Sequence, residues 1–426
     1  MQLNLKSATG KVAANTIYQI IGKTISMSIT LLATIIITRS YGREGYGQFS
    51  LMQTWPALFF VIVDFGINAI AAREIKKDWS KADKYLGNIL FFRIIFSLIV
   101  IFLLNIVLFL FPYEKSLDIG IRLSLLLLIT QSLYSTINII FQVKLKYSYS
   151  TIGYTAGYLV ILILILALSY LRIPVMWVNF GYVIGGVVTL TVNLCLVKKL
   201  GVKTRLLFDK KITKYLFIQA LPLGLMFVFS QMSFKEDSIM LSFLKLPESY
   251  KLNNTETVAI YALPYKVFEV MLVIPTFFMN AAYPVLVERM TEGKNKLKRA
   301  FSKTILFLTF SGLAVGIAAI LFAPWIIKFL GGSGFNQSVN LLRMLGGSIF
   351  LFYLTSPLSW LIVTLGYQKK LPLIYAVSAL FNLIMNLIFI PRYSFYAATT
   401  ITIASECIIL LMLFYTCRKI WKIKYA

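Results

Sequence analysis

Three lysines, Lys23, Lys235 and Lys266, stand deep inside stretches that are otherwise apolar. A charge at the centre of a bilayer costs at least about 2.5–3.5 kcal/mol on insertion scales, so such residues usually face a cavity or a partner. As compact point charges, they are suited to holding an anion. Arg122 and Arg343 join them as candidate anion-binding residues, although both lie near span ends, where Lys214, Lys303 and Arg93 are also expected to snorkel to the interface. Four carboxylates balance them as candidates for ion coupling or for lining a polar cavity: Asp64, Asp237, Glu269 and Glu406. Glu236 and Asp237 adjoin Lys235, and Glu269 follows Lys266 by three residues, within side-chain reach on a helix. Lys266 and Glu269 therefore have two readings: a self-satisfied ion pair or part of a cavity wall. Glu406 has no basic neighbour in sequence, so it either binds a proton or is a hydrogen-bonded structural acid.

Other chemistry is scarce. The chain has no histidine, hence neither the commonest general base nor the commonest metal ligand. Gly-rich phosphate loops, Cys/His clusters and serine-nucleophile motifs are missing too. The reading is a protein that is not an enzyme, with no resident metal or cofactor and, at most, coupling to Na+ or H+. Cys195, Cys407 and Cys417 fall in or beside apolar helices and read as packing residues without a disulfide. The net charge of +26 could suggest nucleic acid, but it is divided among short segments that face anionic lipid headgroups, so no nucleic-acid partner is expected.

These side chains are carried by a chain that is 59% hydrophobic, with mean hydropathy +0.80. Twelve apolar stretches run over roughly 12–38, 47–69, 88–111, 120–142, 152–170, 175–197, 213–244, 258–284, 303–322, 339–364, 371–391 and 395–417. Each is long enough to cross a hydrocarbon core of about 30 Å as a helix. The tails and even-numbered gaps hold most of the basic residues, among them Lys6, Lys11, Lys76, Lys77, Lys198, Lys199, Arg289, Lys369 and Arg418. The odd gaps hold only Arg39, Arg43, Lys115, Arg172, Lys245, Lys251, Lys328 and Arg392. Because cytoplasmic loops retain Lys and Arg, both termini are expected in the cytoplasm. The longest outer gap, about 245–257, is too short for a soluble domain. The first stretch exceeds a signal-peptide core and is expected to remain as the first span. Pro222 lies inside a seventh stretch that is longer than the bilayer is thick, and reads as a hinge; Pro56, Pro264, Pro275 and Pro357 are expected to break other spans. Asn382 and Asn386, four apart, share a helix face and are expected to bond a neighbouring helix.

The chain divides near residue 213 into six spans and six, residues 1–212 and 213–426. Asn68-Ala69 in the second span answers Asn280-Ala281 in the eighth, and at the same offset Pro112 closing the third span answers Pro324 closing the ninth. Ile173-Pro174 similarly answers Ile390-Pro391. With an even number of spans each, the halves are parallel repeats about an axis along the membrane normal, an arrangement that encloses a mid-membrane site in transporters. A channel or scaffold is the competing reading of the same architecture.

The residues resemble the polysaccharide-unit flippases (O-antigen and capsule repeat-unit transporters) of the multidrug/oligosaccharidyl-lipid/polysaccharide exporter superfamily, over essentially the whole chain. Ala14-Asn15 through Thr38-Arg39, and then Tyr41-Gly42-Arg43-Glu44-Gly45-Tyr46-Gly47-Gln48-Phe49-Ser50, are similar to that family's first helix and the turn after it. Asp64-Phe65-Gly66-Ile67 with Ala72-Arg73-Glu74 resembles its second-helix closure, and Tyr261-Ala262-Leu263-Pro264-Tyr265-Lys266 with Glu269 its eighth helix. Asn382 through Tyr393, followed by Ala397-Ala398 and Glu406, is the most specific match. Tyr41 and Tyr396 depart from the pattern, in places read as turns. The resemblance implies an all-α integral membrane protein of about 12 transmembrane helices in two six-helix lobes. It implies a flippase that moves undecaprenyl-diphosphate-linked oligosaccharide units across a bacterial inner membrane by alternating access. Its implied partners are the sugar-lipid, membrane lipids, a polymerase and other polysaccharide-assembly proteins, with the chain working as a monomer. A drug or cation exporter of the same superfamily is the alternative, and a membrane polysaccharide polymerase a third, for which the outer gaps are short.

Overall fold

The computed structural model describes residues 8–425, with side chains from residue 17 onward, so Lys6, Lys11 and the Ala14-Asn15 pair lie outside the described side chains. Among the described residues the chain is helical with no strand. In order, the helices are α1 (Ala8–Asp64), α2 (Ile67–Lys77), α3 (Ala82–Val107), α4 (Lys115–Ser124), α5 (Leu127–Val143), α6 (Tyr147–Tyr170) and α7 (Val175–Lys198). There follow α8 (Lys210–Phe243), α9 (Asn254–Met271), α10 (Val273–Thr291), α11 (Lys294–Gly331), α12 (Asn336–Thr364) and α13 (Leu371–Tyr425).

Ten continuous helical runs are long and apolar enough to span a membrane. Two of them are too long for one crossing: α1 has 57 residues and α13 has 55, each about 80–85 Å at helical rise. Each is interrupted by a single residue off helical geometry, Gly42 (φ 66°) in α1 and Ser394 (φ 52°) in α13. Divided there, the described residues carry twelve span-length helices, as the apolar stretches predict. The turns expected at Tyr41 and Tyr396 are thus one-residue breaks rather than loops. Glycine accepts positive φ at no steric cost, which explains the first break; the second follows Pro391 by three residues.

The prolines do not break the spans as expected. Helices continue through Pro56, Pro222, Pro264 and Pro357, and Pro275 sits in the first turn of α10, where its missing N–H costs little. The second span instead breaks at Phe65 and Gly66 (φ 43° and 69°), and the eighth at Leu272 between α9 and α10. Asn68 and Asn280 each lie in the helix that follows such a break, Asn68 as its second residue and Asn280 as its eighth. The Pro112–Pro324 landmark fails in detail, because Pro324 lies within α11, which runs on to Gly331.

Two compact units emerge: one of residues up to Tyr41 with Gln48–Gly224, the other of Gly42–Gly47 with Leu225–Ala426. Their division falls inside α8, beyond the 212/213 boundary expected from sequence. The reason is local: Phe217 on early α8 stacks on Phe65 at 4.9 Å, and Leu223 lies against Gly66. Pro222 stands just before this division.

Exposure is inverted relative to a water-soluble protein. Phe102, Leu110, Trp325 and Leu411 are 66–82% exposed, whereas Asn88, Ser97, Asn179 and Asn193 are buried. Lipid is the solvent that makes this arrangement favourable, and the chain is a multi-pass membrane protein. Within the first unit α6 and α7 approach closely because glycines face each other. A Cβ on Gly157 would lie 1.9 Å from Thr189 Oγ1 and 2.6 Å from the Gly185 carbonyl. Gly316 of α11 meets the Gly346 carbonyl of α12 in the same way in the second unit, at 2.6 Å. Gly157→Leu is therefore expected to cost about 1–3 kcal/mol by overpacking. Thermal unfolding in detergent would report it, and an unchanged transition would refute this account of the α6–α7 contact.

The connector between α7 and α8 is strapped along α3. Leu207 N–H donates to the Gly87 carbonyl at 3.2 Å, and Asp209 N–H to Asn88 Oδ1 at 2.5 Å. Lys84, then the N–H groups at the start of α8, hold the Asp209 carboxyl below its ordinary pKa.

Candidate functional site

The second unit brings two of the three deep lysines to one carboxylate. On α9, Lys266 and Glu269 are a helical turn apart, and their charged ends lie 3.2 Å from each other. Lys235 reaches the other oxygen of Glu269 from α8. The three side chains are 21–33% exposed, so the cluster is partly open. The triad gathers two ammonium groups on one carboxylate within the spanning region. The pair that sequence left as either self-satisfied or cavity-lining is a triad that includes Lys235.

Two residues further along α8 the chemistry reverses. Asp237 is fully buried, and its carboxylate accepts from Tyr261 Oη of α9 (2.5 Å), from Asn386 Nδ2 (2.6 Å) and from Thr402 Oγ1 (2.7 Å), the last two on α13. Glu236 is buried beside it. The Asn382 amide lies 2.8 Å from Glu236 Oε1 and 3.0 Å from Asp237 Oδ1, so its nitrogen belongs on the side facing the two acids and its oxygen accepts from Ser405. Asn386 Oδ1 is buried with no hydrogen-bond partner among the described residues. The two buried acids share the Asn382 amide, a gathering of acceptors that suits a proton or a small monovalent cation. The available donor set is all oxygen: the two acids, the orphan Asn386 oxygen and the Thr402 hydroxyl, which fits a hard cation.

Because α8 carries both Lys235 and Asp237, and α9 carries both Lys266 and Tyr261, the cationic and acidic clusters are built on the same two helices. Glu406 stands apart. It is buried on α13 and accepts from Thr355 Oγ1 of α12, the hydrogen-bonded arrangement that was one of its two readings.

The first unit holds its own ion pair, and here the sequence expectation fails. Arg93 does not snorkel; it is fully buried. Its Nη2 donates to Asp64 Oδ1 at 2.6 Å, and its Nη1 to Thr136 Oγ1 (2.6 Å) and the Ser132 carbonyl (2.9 Å) of α5. Asn68 Nδ2 adds a bond to Asp64 at 2.8 Å. The break after Asp64 aims this carboxylate inward at α3. Position near a span end did not reveal that a counter-charge waited there. Asp64 is accordingly committed to Arg93 rather than standing free in a cavity.

The remaining candidates are scattered. Arg122 is taken up by Asp118 (2.7 Å) and by the backbone and side-chain oxygens of Asn105 (2.9 Å each), and it caps the Phe109 ring at 4.5 Å. Arg343 is exposed on α12, and Lys23 is exposed on α1 in the other unit from Lys235 and Lys266. Sequence reasoning missed Glu236, Tyr261 and Thr402 as members of the acidic cluster. Tyr261 stood inside a quoted motif, but Thr402 carried no signal, since a threonine in an apolar helix commonly bonds its own backbone, as this one also does to Ala398 at 3.0 Å.

Comparison with known proteins accords with this architecture. A family model described as polysaccharide biosynthesis protein matches residues 12–290, and a second, MatE, matches residues 238–388. A search of curated protein sequences finds no match. Among solved structures, the fold is similar to the lipid II flippase MurJ in an inward closed conformation, with TM-score 0.74 at 15% identity, covering 94% of this chain and 87% of that one. It is similar to an inward-facing multidrug resistance MATE transporter of the MOP superfamily, with TM-score 0.72 at 16% identity over 94% and 96% of the two chains. A MOP superfamily transporter from Pyrococcus furiosus, described as having a binding pocket of reverse polarity, aligns with TM-score 0.68 at 16% identity, over 96% of each chain. With a family model matching well over half of its length, and a fold shared with flippases and multidrug transporters, this multi-pass protein belongs to the polysaccharide biosynthesis protein family.

Proposed function

We propose that the protein is a flippase that moves undecaprenyl-diphosphate-linked oligosaccharide repeat units across a bacterial cytoplasmic membrane by alternating access, with both termini in the cytoplasm. The observation that carries this reading is the Lys235–Glu269–Lys266 triad, two ammonium groups on one carboxylate, held in the spanning region and partly accessible. A diphosphate competes with Glu269 for the two ammonium groups. Lys23, Arg122 and Arg343 are kept as separate, weaker candidates for anion contacts. The lipid tail stays in the bilayer while the sugars follow a polar path. The flippase acts as a monomer and hands its product to a polymerase and the rest of the assembly machinery.

The acidic cluster around Asp237 supplies coupling. Binding of H+ or Na+ there neutralises the paired acids and alters the packing of α8 against α9, and so the spacing of Lys235 from Lys266. Pro222, on α8 before the junction of the two units, serves as the hinge.

A second reading, a drug or cation exporter, is favoured by that same acidic cluster and by the MatE match over residues 238–388. The double variant Lys235→Gln/Lys266→Gln separates the two. In a strain lacking the wild-type gene, it is expected to cut outer-leaflet sugar-lipid at least tenfold while its membrane abundance stays normal. Undiminished sugar-lipid export both with that variant and with no copy of the gene would rule out the flippase reading. Drug efflux lost in Asp237→Asn alone would favour the exporter.

A further inference from the structure

The second unit carries a polar cavity at the opposite end of the charge pattern from the basic loops. It has a volume of about 500 Å3 and is lined by Arg43, Tyr250, Lys251, Ser333, Asn336 and Gln337. These come from three odd-numbered gaps, those after the first, seventh and ninth spans, which the charge rule puts on the outer face. The same rule keeps cations off that face, so topology alone gives no reason for two of the few outer cations to converge on one cavity.

The cavity is built, not incidental. Gly47 presses on the start of α9 so closely that a Cβ there would lie 2.0 Å from the Thr255 carbonyl, and Tyr46 meets Phe335 edge-on at 6.0 Å. Arg43 is held by Glu256 at 3.2 Å, and Glu256 is itself fixed in a capping box with Asn253 at the start of α9. A guanidinium has five donors, so this pairing orients Arg43 and leaves donors for a ligand. Lys251 ends a 3-10 turn in the left-handed region (φ 48°), its N–H bonded to the Glu248 carbonyl at 3.0 Å. Tyr250 packs on Phe395 at 5.0 Å, which steadies the ring at the cavity wall.

We propose that this cavity is an outer-face binding site for an acidic saccharide, with Lys251 and Arg43 on the sugar carboxylate and Asn336, Gln337 and Ser333 on its hydroxyls. Two cations alone would serve any anion. Two carboxamides, a hydroxyl and an aromatic side chain around them match a ligand rich in hydroxyl groups with an apolar ring face. The volume lies within the range of small-ligand pockets and far exceeds what one inorganic ion needs. A role in receiving the sugar after translocation rests on the flippase reading; the binding itself does not.

The test uses full-length protein in nanodiscs of zwitterionic lipid, free of glycoside detergent, with saturation-transfer NMR on glucuronate, glucose and inorganic phosphate as probes. Glucuronate is expected to give saturable transfer, with glucose weaker by tenfold or more and phosphate unable to displace glucuronate at equal concentration. Lys251→Asn, whose new residue tolerates the left-handed backbone, and Gln337→Ala should each weaken glucuronate binding about tenfold or more. Lys235→Gln/Lys266→Gln should bind glucuronate like the wild type whether or not it still exports sugar-lipid, which keeps this proposal separate from the flippase reading. Absence of saturable glucuronate transfer, equal binding in the Lys251 and Gln337 variants, or full displacement by phosphate would each overturn it.

Discussion

Arg93→Ala is expected to destabilise the protein by about 3–5 kcal/mol, the usual cost of removing one partner from a buried ion pair. Arg93 has no exposure, and it ties α3 to Asp64 at the end of α1 and to α5 through Ser132 and Thr136. Among the described residues, alanine would leave Asp64 with Asn68 and Ser135 as side-chain donors, along with the void of a large, fully buried side chain. Lysine should recover little, because one ammonium cannot reproduce the planar fork that meets Asp64 and Thr136 together. Asp64→Asn, which retains shape and one acceptor, should fall between. Thermal unfolding in micelles and membrane abundance would report the order. An alanine variant as stable as wild type would show that the pair contributes nothing to the first unit.

The second large effect is expected at Asp237. Asp237→Ala strands two buried donors, the Tyr261 hydroxyl and the Asn386 amide, while the Thr402 hydroxyl keeps the Ala398 carbonyl as acceptor. Each donor left without an acceptor costs about 1–3 kcal/mol, so the alanine variant should lose much of its stability. Asp237→Asn should unfold near the wild-type temperature, since the carboxamide keeps the shape and one oxygen. If the cluster couples transport to H+ or Na+, the asparagine variant should also lose the dependence of sugar-lipid export on the sodium or proton gradient. Export in inverted vesicles, with sodium exchanged for choline and with the proton gradient collapsed in separate runs, measures this. Retained ion dependence in Asp237→Asn would remove Asp237 from coupling.

Reading the residues in order reached the helices better than the site. The twelve apolar windows correspond to helices, and even the two merged pairs separate at Gly42 and Ser394, inside gaps that sequence had marked. The Lys266–Glu269 spacing was legible because a helix fixes which residues share a face. Arg93 and the acidic cluster were not. A residue's distance from a span end says nothing about which neighbour its side chain meets, and Asp237 finds Asn386 and Thr402 well over a hundred positions away. The prolines misled for a related reason. Helices run through most of them, while the backbone turns at Phe65-Gly66 and at Leu272.

Sequence by itself determined that this protein spans a membrane many times, that its helices are about a bilayer long, and that lysines and carboxylates are buried at particular depths. Those are one-dimensional properties, since the bilayer tests each apolar window for length and charge independently of its neighbours. Only the tertiary structure decided that Lys235 and Lys266 share Glu269, that Arg93 is spent on Asp64, and that two asparagines and a threonine of α13 enclose the acids of α8. Such choices depend on how each helix is rotated about its axis and where it breaks, and those are set by close packing of glycine-lined faces that apolar periodicity does not encode.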